Sequence, residues 1–354
     1  MGGTLEAGRD RAGVRRGLGD GSHCAVRDMR ICVYGAGAVG GALAVRLKAA
    51  GEHVTVIARG AHGEAIRERG LTLITGETRR TVRVPCIEHP DMLDAAPDLV
   101  FVTVKQTHLP AIAQPMSRML QGGARIVFAM NGIPWWFADE LPIPPKESFV
   151  DELDPDRVLR TTIDNAHLIG GMVQSSNEVV SPGVVWGTTP TRNRMILGNV
   201  VTGADNRIGE IVEILRRADY ESEETSDIRR ELWNKMALWL AVAPIAALTG
   251  LALDKLVPDP GGFAIMTAVM RETNTIGRRL GFELADDVEE RIGFYRDKPT
   301  RPSLLKDFEL GREPELASGV LVFDAIARAV GVPVPQIATI AALTRLKFSG
   351  MRRA

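Results

Sequence analysis

Apolar positions along the chain follow two different rhythms. In the first half, short apolar runs alternate with stretches of helical spacing. Residues 30–34 form an apolar run followed directly by a glycine, residues 39–50 have helical spacing, and residues 53–58 (HVTVIA) form a second strand candidate. Residues 99–104 and 126–130 are nearly continuous apolar runs, as central strands covered on both faces are, and helical spacing over 109–120 lies between them. Residues 72–74 and 81–84 predict a small hairpin. Further strands are expected at 167–173, at 179–186 around a Pro182–Gly183 turn, and at 195–197, then a helix over 206–218. This alternation predicts an α/β domain on a doubly wound parallel sheet.

After about residue 226 the strand pattern stops. Residues 227–354 read almost entirely as helix, punctuated at 258–262, 298–302 and 331–335. A nucleotide-type α/β domain over 29–226 and an all-α domain over 227–354 are therefore expected. Residues 236–253 (MALWLAVAPIAALTGLAL) carry no charge and approach bilayer-spanning length. Pro244 and Gly250 interrupt the stretch, alanine supplies much of its bulk, and Lys235 and Asp254 bracket it. A buried helix at the centre of the second domain is the expectation. Residues 1–28 are rich in glycine and arginine and lack the apolar segment of a secretory signal, so they read as a disordered tail, with Met29 directly before the first strand.

Composition narrows the function. A length of 354 residues suits two domains. Lys+Arg 43 against Asp+Glu 44 leaves a net charge of -1, which excludes a broad footprint for nucleic acid or an anionic membrane. Cys24, Cys32 and Cys86 form no CxxC, and the six histidines form no HExxH, so neither a disulfide framework nor a metal site is expected. These features suit a reducing, cytoplasmic setting.

Candidate chemistry begins at Gly35-Ala36-Gly37-Ala38-Val39-Gly40, a G-x-G-x-x-G placed directly after a strand and before a helix. Gly35 permits the tight turn, Gly37 lets backbone approach a pyrophosphate, and Gly40 lets helix and strand pack closely. The helix N-terminus then offers N–H groups to the phosphates. The second strand ends in Arg59-Gly60 with no acid to hold the ribose hydroxyls, and the Arg59 fork matches an adenosine 2′-phosphate, so NADP is the expected cofactor. A solvated loop arginine is the alternative for Arg59. Lys105 and Asn131 end two successive strands, where the nicotinamide half of a dinucleotide belongs.

With these residues in place, the sequence resembles the ketopantoate reductase (2-dehydropantoate 2-reductase) family over residues 29–345. The resemblance rests on GAGAVG at 35–40, VTVK ending at Lys105, and Asn131-Gly132 followed by IPWW as in one subgroup. It continues through IRRELWNK at 228–235, APIAALTG at 243–250 and PSLLKDFELGREPE at 302–315. It implies a Rossmann-type domain, an all-helical second domain, and NADPH-dependent reduction of a 2-keto acid to a 2-hydroxy acid in pantothenate biosynthesis. It further implies Lys235 as proton donor, Glu315 beside that chemistry and the cofactor, Ser303 on the substrate, and Asn131 near nicotinamide and substrate. An ammonium beside the ketone oxygen would stabilise the negative charge that grows there as hydride adds. Simpler roles stay open: Lys235 flanking a buried helix, Glu315 answering a helix dipole, Ser303 capping a helix.

The match departs from the family pattern at one helix face. The resemblance implies asparagines where this chain has Trp239, Ala243 and Leu253. Lys235, Trp239 and Ala243 lie at i, i+4 and i+8 and share a face. Replacing amides by an indole and a methyl group predicts a larger or more apolar 2-keto acid or ketone than ketopantoate, and a lysine whose pKa is lowered by desolvation. Two other readings accompany the reductase: a catalytically weakened NADP-binding sensor, and a related 3-hydroxyacid or glycerol-phosphate dehydrogenase. A homodimer is a further expectation, since a helical domain with an apolar central helix often buries surface against a second copy.

Overall fold

The computed structural model describes residues 29–141, 147–187 and 193–351. The expected tail over 1–28 lies outside them. Strand β1 (Arg30–Tyr34) leads through the glycine loop into α1 (Ala38–Ala49), β2 (His53–Ile57) and α2 (Gly60–Arg69). A hairpin of β3 (Leu71–Thr75) and β4 (Thr78–Val82) precedes the short β5 (Cys86–Ile87) and β6 (Leu99–Val102). Then come α3 (Leu109–Gln121), β7 (Arg125–Ala129), α4 (Glu147–Leu153) and α5 (Val158–Thr162). The α/β part closes with β8 (Leu168–Ser175), β9 (Asn177–Ser181), β10 (Val184–Gly187), β11 (Asn193–Asn199), α6 (Ile208–Arg217) and β12 (Glu221–Glu224).

The main sheet runs β12-β11-β8-β7-β6-β1-β2-β5. Its central strands are parallel, and every residue of β6 is buried, as two-faced coverage requires. The sheet is mixed, however: β11 pairs antiparallel with β8. The chain between the two strands makes a β excursion through β9 and β10 and contains no crossover helix among the described residues. A second sheet, β4-β3-β10-β9, packs over the outer face of α1, where Val185 of β10 touches Gly41 closely enough to leave no room for a side chain there.

From Ile228 onward every described element is a helix. The series is α7 (Ile228–Thr249), α8 (Leu253–Leu256), α9 (Pro260–Arg279), α10 (Val288–Gly293), α11 (Ser303–Glu309), α12 (Val322–Val330) and α13 (Pro335–Met351). Asp227 caps α7 by accepting from the Arg230 N–H at 2.9 Å, and Gly250 ends it with a φ of 75°. The buried helix α7 runs through Pro244; packing against α9, α11 and α13 offsets the lost helical hydrogen bond. By length and apolarity α7 passes as a membrane span (mean hydropathy 1.3), yet 67% of that window is buried inside the protein. It is the core helix of its domain.

The two lobes meet through aromatic side chains. Trp135 and Trp136 of the IPWW turn and the following Phe137 are buried, Phe137 stacks 5.8 Å from Trp233 of α7, and Trp233 lies 5.2 Å from Phe323 of α12. Buried Arg229 donates to the carbonyls of Phe137 and Trp136 at 3.1 and 3.2 Å. This joint fixes where α7 projects over the carboxyl ends of the strands.

Candidate active site

The glycine loop has the form a dinucleotide needs. Gly35 adopts φ 104°, and a Cβ there would lie 2.7 Å from Val104. A Cβ on Gly40 would collide with the Gly35 carbonyl and the Thr103 hydroxyl, which themselves hydrogen-bond at 2.6 Å. Gly37 faces open space, with nothing within 4 Å of a Cβ placed on it. The loop is thus packed on the protein side and open on the other. Ala38 and Val39 follow in the first turn of α1, which carries no acid to repel phosphates. Ala36, within the loop, is buried, its N–H donating to the Ile57 carbonyl. Arg59 sits exposed just past β2, at the N-cap of α2, on the same side of the sheet edge as the loop.

The other half of the site lies between the lobes. Lys235 Nζ, on the first half of α7, donates to Asn131 Oδ1 at 2.7 Å, so the sequence-predicted lysine and asparagine meet. Burial lowers the Lys235 pKa to about 8, with the Glu315 carboxylate opposing the shift. Glu315 Oε1 accepts from the Gln106 backbone N–H at 2.8 Å. Burial pushes the Glu315 carboxyl above its usual range, against the Gln106 N–H, Lys105 and Lys235, while Asp307 adds to the rise. Lys105 Nζ donates to Asp307 Oδ2 at 3.1 Å and to the Glu313 carbonyl at 2.7 Å, reaching from the end of β6 to the helical lobe.

A narrow cleft opens beside these groups. Asn131, Gly132, Ser303, Asp307 and Glu315 give it a polar side, and Met236, Trp239, Leu304 and Gly319 an apolar one. Ser303, the first residue of α11, borders it, and the N-cap position before it is held by Pro302. The Trp239 indole lies over Gly319, where a Cβ would come within 2.8 Å of the ring. Ala243 is fully buried and stands apart from the cleft lining, because α7 runs from the cleft into the core after Trp239. Leu253 is buried as well.

Several site residues escaped the sequence reading. Gln106 ties two cleft residues together, its side chain donating to the Asn131 carbonyl at 2.8 Å and its N–H to Glu315. Ser318 and Gly319 belong to one wide π-type turn, Ala317–Leu321, a distortion common at functional sites. Buried Ser318 Oγ has no hydrogen-bond partner among the described residues, and a Cβ on Gly132 would lie 2.5 Å from it. No hydropathy period marks such residues; the Gly132 φ of 88° is their nearest sequence trace, through the NG pair. Among the described residues no cluster of histidine, cysteine or carboxylate suits a metal ion, and Cys32 and Cys86 are both free and buried.

Comparison with known proteins gives a consistent picture. A family model described as ketopantoate reductase PanE/ApbA matches residues 31–201, and the model of that family's C-terminal domain matches residues 227–348. The 2-dehydropantoate 2-reductase of Mesorhizobium japonicum is 31% identical over 319 residues, covering 90% of this chain and 97% of that protein. Its Archaeoglobus fulgidus counterpart is 24% identical over 84% of this chain and 91% of that one. A PanE/ApbA family ketopantoate reductase from Ralstonia eutropha superposes with a TM-score of 0.77 at 27% identity, covering 92% of this chain and all of that one. D-mandelate dehydrogenase, solved with NADH and anilino(oxo)acetate, shares the fold with a TM-score of 0.78 at 16% identity, covering 92% of this chain and all of that one.

Proposed function

The chain belongs to the ketopantoate reductase PanE/ApbA family of oxidoreductases acting on CH–OH donors, and on that premise we propose that it uses NADPH to reduce a 2-keto acid of apolar side chain, with Lys235 as proton donor. The observation that carries this reading is the Lys235–Asn131 contact of 2.7 Å, an ammonium delivered by the helical lobe to the carboxyl end of β7.

The glycine loop and the N-terminus of α1 would hold the pyrophosphate. Arg59 would take the adenosine 2′-phosphate, which supports NADP over NAD. When bound, the dihydronicotinamide supplies the hydride. Lys235 Nζ holds the proton that the ketone oxygen acquires, and its positive charge stabilises that oxygen as it becomes negative. A Lys235 pKa of about 8 suits donation near neutral pH, because a donor works best when its pKa lies close to the operating pH. Asn131 aims the ammonium, and Glu315 keeps it charged inside a desolvating cleft. Ser303 would bond the substrate carboxyl end. Trp239, Met236 and Leu304 favour an apolar substituent over the hydroxyl-bearing one of ketopantoate, since an unpaired substrate hydroxyl costs about 1–3 kcal/mol.

The test is NADPH consumption across 2-keto acids of graded side-chain size and polarity, with Lys235→Ala as control. Highest kcat/KM on an apolar 2-keto acid, abolished by the control, is the expected result. Efficient turnover of ketopantoate above all others would overturn the substrate assignment, and full activity of Lys235→Ala would overturn the mechanism.

A further inference from the structure

His62 is absorbed by neither the catalytic cleft nor the glycine motif, yet its ring touches both halves of the nucleotide lobe. It lies in the first turn of α2, three residues after Arg59. Its Nδ1 accepts from the Gly183 backbone N–H at 3.1 Å. A nitrogen that accepts from an N–H carries no proton, so the ring proton sits on Nε2. That Nε2 is 2.8 Å from the carbonyl of Ala36, the second residue of GAGAVG, and donates to it.

Both ends of this bridge are anchored. Below, the N–H groups of Gly35 and Ala36 donate to the Ile57 carbonyl at 3.1 and 3.3 Å. Above, the Gly183 carbonyl accepts from the Thr72 N–H at 2.9 Å, and Gly183 rests on Ala65 of α2 so closely that a Cβ on it would lie 3.2 Å from the Ala65 methyl. The loop is therefore pinned from one side by the end of β2 and from the other by an imidazole braced on the second sheet. Between these pins Gly37 faces open space, so the position of Ala36 sets where the backbone N–H groups beyond it point.

We infer that His62 is a positioning residue for the dinucleotide: it fixes the Ala36 peptide, and through it the phosphate-facing turn at Gly37, by carrying the register of the second sheet to the glycine loop. This rests on the reading that the loop binds NADPH. His62 touches no part of the cleft between the lobes, so its effect falls on nucleotide affinity and leaves the chemistry at Lys235 alone.

The experiment measures the NADPH Kd by nucleotide fluorescence on the full chain, alongside the unfolding temperature without nucleotide. His62→Ala loses both bonds and is expected to weaken NADPH about tenfold, the equivalent of one to two net hydrogen bonds. His62→Gln, whose amide reaches as far as Nε2, restores the donor to Ala36 and is expected to recover affinity to within about threefold of wild type. His62→Asn keeps an acceptor for Gly183 but falls short of Ala36, and is expected to bind as weakly as the alanine variant. The Gln–Asn contrast stands even if His62→Ala fails to fold. A purely structural role would lower the unfolding temperature in all variants and leave the Kd of the folded protein unchanged, which would overturn the inference. Equal affinities for Gln and Asn would overturn it as well. A wild-type chain that fails to bind NADPH removes the nucleotide reading itself, a result distinct from wild-type binding matched by His62→Ala.

Discussion

Lys235 is where burial, charge and chemistry meet in one side chain. Its pKa of about 8 lies below the usual lysine range because burial disfavours the ammonium more than Glu315 supports it. Reduction needs the charged form, so kcat/KM for reduction is expected to be flat below that value and to fall roughly tenfold per pH unit above it. The reverse oxidation needs the neutral amine and should rise with pH towards the same value. A pH–rate profile with no break between neutral pH and the ordinary lysine range would refute the assignment. Glu315→Gln keeps an acceptor for the Gln106 N–H but removes the negative charge. The break should then move to lower pH, since a carboxylate that raised the lysine pKa is gone. Arg59 sits outside this cleft and answers a different question. Arg59→Ala is expected to reduce the preference for NADPH over NADH by roughly 10–100-fold, the worth of a charged hydrogen-bonded contact, measured as the ratio of the two Kd values. The sequence made Asn131 and Arg59 visible because each follows a strand end, and Lys235, within α7, because it borders the uncharged stretch 236–253. Gln106 and His62 act through hydrogen bonds whose partners lie 25 to 209 positions away, Ser318 through its closeness to Gly132, and no local pattern records either.

Elements place these residues, and α7 is the decisive one. Its first residue, Ile228, lies between two glycines of the sheet: a Cβ on Gly170 of β8 would lie 2.7 Å from Ile228 and 2.8 Å from Trp136, and one on Gly198 of β11 would lie 2.8 Å from Ile228. The absence of a side chain at those two positions is what lets the helix start against the sheet, and its axis then carries Lys235 to Asn131. Gly170→Ala should cost about 1–3 kcal/mol by overpacking, read from denaturant unfolding, and should lower kcat by shifting α7. An unchanged midpoint together with unchanged kcat would mean the joint tolerates displacement. Parallel strands β1, β2, β6 and β7 were legible because two-faced burial makes them continuously apolar. β12 was not, because ESEE buries only Ser222 and is held as an edge strand by its pairing with β11. The antiparallel turn of β11 was equally hidden, since a strand's own residues do not state its direction.

At the scale of the whole molecule the segment from Pro302 to Glu315 works as a clasp. Asp307 and the Glu313 carbonyl hold Lys105, Glu315 holds the Gln106 N–H, and Lys306 reaches Glu178 of β9 at 2.5 Å. The second sheet thus grips the helical lobe while also bracing the glycine loop through His62, and both lobes close over one cleft. Of these links the Lys306–Glu178 pair is the one that lines no part of the cleft and holds no other site residue, so it isolates the clasp from the chemistry. Both side chains are partly exposed, 30% and 26%, so the pair should contribute no more than about 1 kcal/mol to global stability. Its effect on local opening is separable from that. Lys306→Ala, Glu178→Ala and the double variant should each speed amide hydrogen exchange across α11 by a similar factor, because removing either partner already releases the clasp. They should raise KM for the 2-keto acid, whose pocket α11 borders, while leaving the NADPH Kd within about twofold of wild type. If the double variant exchanges as the product of the two single effects, the two side chains act independently and the clasp is held by Lys105 and Glu315 alone.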